Sequence, residues 1–561
     1  MNTEILEKML AWPLFGAGME NLGVNDAPCT IDVPGIREKE LLVRIDAIGL
    51  CFSDVKLIKA GEKHPRVLSK DLNKNPVIPG HEAVMTVLKV GDGYADRFKP
   101  GQRFIIQADI FFKGLGVAYG YAIDGGFAQY SVIDERVIDG DEGCYLLPLA
   151  DNIPCAIAAM IEPWTCVIAS YLMEKRKTPL KGGRMLIAGE PGDGHAYEPG
   201  SLLKQNPPSE ILFIGLAESN IAEIKKAFPV IPVNRLEEIP DGDAFDDIFI
   251  CAVKNRKFAE KLAASGTKNA TVSFIGSYPD ENWAFDVGAI HYKGWFYQGT
   301  ESSNLSGAYG RNVRSSLSKG GACWLVGGAG AMGQMHTQIA VESHDGPSRI
   351  LVTDMDDSRI ENVKNQLKKT IKAKKIEFKT LNPSHFVSPG EFLSKVAEFA
   401  QSSGGFDDIV MLVPSVPVLN SCISYMKKDC LMNIFAGIPA GTEGLLNVIG
   451  IVRSGHRFIG ASGSMTSHLK YTLELVETDR INPASSLAAV GGMMDLKKGI
   501  KAVEAAKFPG KTVIFPNIKN MPLTPLKDIG KLSSDFEKTL SPEGFYTMKT
   551  EKAIFKHFSG Q

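Results

Sequence analysis

The sequence predicts an α/β protein: a β-rich domain towards the N-terminus, followed by two tandem doubly wound parallel sheets. Three observations carry this prediction. Residues 1–150 alternate short apolar runs with glycine and proline turns, as strands do. Further on, an apolar run ends in a glycine-rich turn, Val326 to Gly333, ahead of a helical stretch and a second apolar run that closes at Asp354. Finally, residues 182–299 match residues 321–460 segment by segment.

Bulk properties bound the function. At 561 residues the chain exceeds the size at which a single core stops growing, so three or four domains are expected. A formal charge of −2 offers no global field for nucleic acid or an anionic membrane. No run of about 18 apolar residues occurs, and no basic stretch followed by an apolar segment opens the sequence. The expectation is therefore a cytoplasmic protein with neither a nucleic-acid nor a membrane partner. Nine cysteines with no CxxC pair read as free buried thiols, Cys51 excepted.

Within residues 1–180, Glu40 to Asp46 and Val84 to Val90 alternate like half-buried strands. Around them stand Cys51 with Ser53 and Asp54, then His81 with Glu82, then Glu162 before Pro163. Thiolate, imidazole and carboxylate are the ligand types of zinc. One by one they have plainer readings: a core cysteine, a surface His-Glu pair, and the start of a helix.

Taken in this order, ahead of a dinucleotide domain, these residues resemble the zinc-dependent medium-chain dehydrogenases. The resemblance extends to Val77-Ile-Pro-Gly-His-Glu82, Val90-Gly-Asp-Gly93, Phe98-Lys-Pro-Gly-Gln-Arg103 and Gly125-Gly-Phe-Ala-Gln-Tyr130, and covers most of the chain. It is nearest to the polyol branch, the sorbitol dehydrogenases and sorbose 1-phosphate reductases.

The resemblance implies a GroES-like catalytic domain over residues 1–180, rejoined by residues 467–561. It implies that Cys51, His81 and Glu82 surround a catalytic zinc, with Glu162 as fourth ligand or water-bridged neighbour. Ser53 takes the proton-relay position, and Asp54 either holds the loop or takes part in catalysis. A second, structural zinc is not expected, because Phe104 to Asp124 contains no cysteine. The implied activity is hydride transfer between NAD(H) and a secondary alcohol of a polyol, sugar or sugar phosphate. An L-threonine-type dehydrogenase is the alternative substrate class, and a non-catalytic nucleotide-binding regulator or scaffold the alternative of another kind. Lys56, Lys59, Lys63, His64 and Arg66 form either a phosphate-binding rim or a solvated face.

The dinucleotide site rests on Gly328, Gly330, Ala331, Met332 and Gly333, whose backbone N–H groups would meet a pyrophosphate at the helix start. Asp354, 21 residues after Gly333, would accept from the adenosine ribose. Its charge opposes a 2′-phosphate, so NAD is expected over NADP, although Arg359 leaves room for the latter.

The repeat divides the rest into Rossmann-like units over residues 181–319 and 320–466. An offset of 139 places Gly182–Gly189 on Gly321–Gly328 and Ser209–Gly215 on Ser348–Asp354; an offset of 161 places Phe245–Ile250 on Phe406–Met411 and Gly299 on Gly460. Under the first offset Gly330 becomes Pro191, Asp354 becomes Gly215, Arg359 becomes Asn220, and Pro199 falls in the phosphate-binding helix. The first unit is thus expected to lack a dinucleotide site. It replaces a partner subunit, is an inert spacer whose sheet still buries a core, or binds some other ligand through Glu190 to His195; the assembly is a monomer with an internal pseudo-dimer or a homo-oligomer. Residues 517–561 carry no assigned role.

Overall fold

The computed structural model describes residues 5–558 apart from 241, 311–312 and 462. It forms two compact units, one of Met1–Ile168, Gly330–Met335 and Gly463–Gln561, the other of Ala169–Ala329 and His336–Ser462. Among the described residues no helix is long and apolar enough to cross a membrane.

The first unit is built on an eight-stranded sheet. Its longest strand, Glu40–Leu50, pairs antiparallel with Glu82–Val90 and Tyr130–Asp134, and near its end with the returning strand Lys511–Phe515. The half-buried alternation expected here is corrected: every residue from Leu41 to Leu50 is buried. Two polar positions survive burial because they satisfy each other. Arg44 Nε donates to Asp46 Oδ1 at 2.8 Å, and the Thr86 hydroxyl donates to Asp46 Oδ2. The lobe after Arg103 is held by apolar packing, with Ile110, Tyr119, Tyr121 and Ile123 in the core.

The C-terminal stretch is fastened to this unit. Its helix Met548–Phe558 carries Glu551, whose carboxylate accepts the N–H groups of Cys155 at 2.8 Å and Ala156 at 3.1 Å. Those donors open a short helix and have no intrahelical partner, so Glu551 caps it from some 400 residues away.

The second unit contains two six-stranded parallel sheets of identical strand order. One runs Ile231–Pro232, Glu210–Ile214, Arg184–Ala188, Phe245–Cys251, Gly266–Ile275, Phe296–Thr300; the other Glu377–Leu381, Arg349–Thr353, Ala322–Val326, Phe406–Met411, Met426–Ile434, Arg457–Ile459. Their central strands are buried apolar runs, as parallel sheets covered on both faces require.

Register corrects the first offset by one residue over the first strand and its turn, while the second strand keeps it, so that Gly192 and not Pro191 answers to Gly330. Arg184 lies opposite Glu210 as Ala322 lies opposite Arg349. Gly189 N–H bonds Ile214 O as Gly327 N–H bonds Thr353 O. Gly189 therefore answers to Gly327, and Glu190 occupies the place of Gly328. The sequence comparison slipped because both stretches are runs of small and apolar residues, which score alike in either register.

The sheets meet through reciprocal contacts. Asn282–Asp286 pairs antiparallel with Glu443–Asn447, and at the centre Ala284 faces Leu445, its own counterpart under the 161-residue offset. A Cβ on Gly299 would lie 2.7 Å from Val452 Cγ2, and one on Gly460 2.9 Å from Cα of His291, the counterpart of Val452. Contacts in which i meets j and j meets i define a local two-fold axis, the geometry of an isologous interface.

Candidate active site

Strand register assembles the cluster. Gly49 lies opposite Glu82 and Leu50 opposite Thr512, so Cys51, which follows the first strand, arrives beside His81 and Glu82 at the start of the second and beside Lys511 on the third. One ligand atom each from Cys51, His81 and Glu82 lies within 4.8 Å of the others. Gly49 has to be glycine, since a Cβ there would stand 2.2 Å from Glu82 Oε2.

Hydrogen bonds fix the donors. Asp54 Oδ1 accepts from His81 Nδ1 at 3.0 Å, and its other oxygen accepts the Cys51 N–H at 2.9 Å. Asp54 thus closes the first turn of helix Phe52–Ala60 and aims His81. This favours the loop-holding reading of Asp54. Burial disfavours the imidazolium of His81, but Asp54 outweighs it and leaves the group well above its ordinary pKa.

Lys511 was not singled out in the sequence. It is buried and bonds Glu82 Oε1. Burial alone would lower its pKa, yet Cys51 and Glu82 hold it above the ordinary range. Glu82 Oε2 is buried without a hydrogen-bond partner among the described residues. The visible signal was a lysine opening an otherwise apolar strand, Lys511-Thr-Val-Ile-Phe515.

Glu162, in the first turn of helix Ile161–Ser170, stands outside the 4.8 Å cluster. Burial, then the neighbouring Glu82 carboxylate, pushes it up to about 7 against the pull of His81. The Cys166 thiol donates to its Oε1 at 3.7 Å. Ser53 is half-buried on the helix that Cys51 opens.

A thiol, an imidazole whose far nitrogen faces that thiol, and an unpartnered carboxylate oxygen form a donor set that fits a divalent zinc ion. Lys511 offsets the charge of Glu82, so a thiolate and two charges of the ion would leave one positive charge, which the Asp54 carboxylate behind His81 balances.

In the second unit, Gly327 has φ +82 and turns the chain at the end of strand Ala322–Val326. Gly328 is packed so closely that a Cβ would meet Leu325 Cβ at 2.7 Å, and its carbonyl accepts from Thr337 Oγ1. Gly330 precedes the helix Ala331–Glu342, whose first residues are Ala331, Met332 and Gly333. Asp354 ends its strand with Oδ2 accepting the Ala329 N–H at 3.2 Å. Burial raises its pKa. Arg359 faces Asp356, with Nε 3.7 Å from Oδ2.

The equivalent region of the first sheet is closed. Gly215, where Asp354 stands in the other sheet, has φ +76, and a Cβ there would lie 2.0 Å from Gly189 O. The helix that follows is only Gly200–Gln205, with Pro199 at its N-cap. Glu190 folds its carboxylate onto the N–H groups of Lys254 and Asn255.

Residues 37–139 match the alcohol dehydrogenase GroES-like domain family. The mannitol-1-phosphate 5-dehydrogenase of Aliivibrio fischeri is 23% identical over 94% of each chain. The L-sorbose 1-phosphate reductase of Klebsiella pneumoniae is 26% identical over 49% of this chain and 72% of its own. An alcohol dehydrogenase from Thermotoga maritima superposes with a TM-score of 0.51 over 91% of this chain and 99% of that one, at 13% identity, a likeness of fold. The GroES-like sheet with its Cys51, His81 and Glu82 cluster, the parallel sheets and these relatives agree: residues 37–139 are an alcohol dehydrogenase GroES-like domain, and the chain is similar to the medium-chain alcohol dehydrogenases.

Proposed function

We propose that this alcohol dehydrogenase-type oxidoreductase transfers a hydride between NAD(H) and a secondary alcohol of a polyol, sugar or sugar phosphate. The observation that carries the reading is the buried Cys51, His81 and Glu82 cluster, with Lys511 behind it. A zinc ion held by these three, with Glu162 as fourth ligand or water-bridged neighbour, supplies Lewis acidity that eases ionisation of an alcohol beside it. We assign one such ion per chain and no structural zinc.

The protein's own groups do the rest. Asp54 keeps the Nε2 lone pair of His81 turned to the cluster. Ser53 passes the alcohol proton outward. The turn from Gly328 to Gly333 receives the pyrophosphate and Asp354 the ribose. NAD is preferred to NADP because the Asp354 carboxylate repels a 2′-phosphate and the Arg359 side chain faces Asp356.

We read residues 181–319 as a Rossmann-like domain without coenzyme, and 320–466 as the coenzyme domain. The first stands where a partner subunit would, which the reciprocal pairing of Asn282–Asp286 with Glu443–Asn447 supports.

The test is NADH formation by purified, zinc-loaded protein on polyols, sugar-alcohol phosphates and L-threonine, repeated with NADP and after chelation. Chelator-sensitive turnover of a polyol or its phosphate is expected with NAD. Turnover of L-threonine alone, or silence with zinc and NAD both bound, would defeat the proposal.

A further inference from the structure

A second group of side chains stands one aromatic ring away from the cluster. The Tyr121 ring lies 5.9 Å from the His81 ring and 5.1 Å from the His64 ring. On the same ring rests Arg66, its guanidinium carbon 5.5 Å from the centroid. Arg66 is held in place: Nη1 donates to Asp109 Oδ1 at 2.5 Å. Its remaining guanidinium nitrogens make no hydrogen bond among the described residues, and the side chain stays 46% exposed.

His64 completes the group. Its Nδ1 accepts the backbone N–H of Arg66 at 3.3 Å, which leaves the ring proton on Nε2. Burial, then the charges of Arg66 and Lys56, pull His64 down to about 4. At neutral pH it is an uncharged N–H donor. Lys56, near enough to act on it, has its ammonium 5.9 Å from the Phe52 ring.

A solvated cation is not normally pinned. Stacking a guanidinium on a tyrosine and fixing one edge to a carboxylate costs side-chain entropy, and the result is a planar donor with its other edge presented. Asp109 offsets one of the two positive charges, so a single excess charge remains with donors of three kinds. Three donor groups suit three terminal oxygens better than the two of a carboxylate.

We propose that Arg66, with His64 Nε2 and Lys56, binds the phosphate ester of a phosphorylated polyol or ketose whose secondary alcohol reaches Cys51, His81 and Glu82 along the Tyr121 ring. This rests on the dehydrogenase reading and narrows it to phosphorylated substrates. Each step, cluster to ring and ring to Arg66, is under 6 Å. That separation suits a polyol chain carrying a phosphate better than a short alcohol.

The experiment compares kcat and KM for sorbitol 6-phosphate, sorbitol and gluconate in the full-length wild type, Arg66→Gln and Arg66→Lys. Calorimetric titration of sorbitol 6-phosphate and of inorganic phosphate accompanies it. The wild type is expected to prefer the phosphate ester. Arg66→Gln is expected to cut that preference about 10- to 100-fold, mainly through KM, and Arg66→Lys to keep part of it. Inorganic phosphate should compete with the ester in the wild type and much less in Arg66→Gln. A wild type indifferent to phosphate, a preference for gluconate, or an equal loss on ester and free polyol would overturn the proposal. If no alcohol is oxidised at all, the dehydrogenase reading fails, and calorimetry still decides the role of Arg66: ester binding weakened by Arg66→Gln supports it, and absent binding refutes it. Should Arg66→Gln not fold, the double variant Lys56→Gln, His64→Ala carries the same comparison.

Discussion

Cys51, His81 and Lys511 make separable contributions to one buried cluster. Cys51→Ala or His81→Ala is expected to reduce turnover by at least about 1,000-fold and to empty the zinc site while circular dichroism stays unchanged, because neither residue packs the sheets. Metal analysis alongside kinetics checks this, and full zinc occupancy in Cys51→Ala would defeat the ligand assignment. Lys511→Met leaves Glu82 as a buried, unpaired carboxylate, and should cost about 3–5 kcal/mol of stability in urea unfolding. The three ligand types were legible in the sequence, because their identities carry the chemistry. Lys511 was not, since 429 positions separate it from Glu82 and only the register of Glu40–Leu50 with Lys511–Phe515 joins them. A second residue-scale effect follows from His336. Its Nδ1 is bonded to the Tyr171 hydroxyl at 2.6 Å, and burial pulls the ring down to about 3. Between the ordinary histidine value and that figure the unfolded chain takes up a proton that the folded chain refuses, so stability falls as pH drops through this window. Relative to wild type, His336→Phe should therefore be about 2 kcal/mol better at pH 5 than at pH 7.5, read from urea midpoints. An unchanged difference at the two pH values would show that His336 takes up its proton in the folded chain as it does in the unfolded one.

At the level of elements, the two parallel sheets share an order of strands and differ in their first turn. The Val326 to Gly333 turn leads into a twelve-residue helix, whereas Gly189 leads through Pro191 and Pro199 into a six-residue one. Strand positions were legible because buried apolar runs bounded by glycine leave little choice of element. The one-residue slip at Gly189 was not, because only inter-strand hydrogen bonds distinguish Gly327 from Gly328 as its counterpart. The burial of both faces of Glu40–Leu50 was hidden for a related reason. Arg44 and Asp46 read as solvent-facing until their mutual bond is seen. On the proposed reading, one coenzyme site per chain is expected. Calorimetric titration with NAD should give a stoichiometry near one, and Asp354→Gly should weaken NAD binding about 10- to 100-fold, the cost of losing hydrogen bonds to a charged acceptor. Two equivalent sites per chain would contradict the closure of Gly215 against Gly189 O.

For the whole molecule, the reciprocal contacts bear on assembly. In an isologous dimer each subunit presents the same patch, and the patch is then spent. Here Glu443–Asn447 is already paired with Asn282–Asp286 of the same chain, and Gly460 already packs on His291. The 320–466 region therefore has no free copy of this patch to offer a second molecule, and the strand Glu443–Asn447, which would otherwise invite pairing, is covered. Light scattering should return a particle of 60.8 kDa, the mass of a single chain. Gly460→Leu should separate the prediction from chance. A side chain forced against the His291 backbone would push the sheets apart and cost about 1–3 kcal/mol by overpacking. Once that contact is loosened, the freed edges have identical geometry and can pair between chains, so the variant should show a concentration-dependent dimer that the wild type lacks. A wild type that is dimeric at every concentration, with the Gly460→Leu protein monomeric, would reverse the argument and place the interface between molecules.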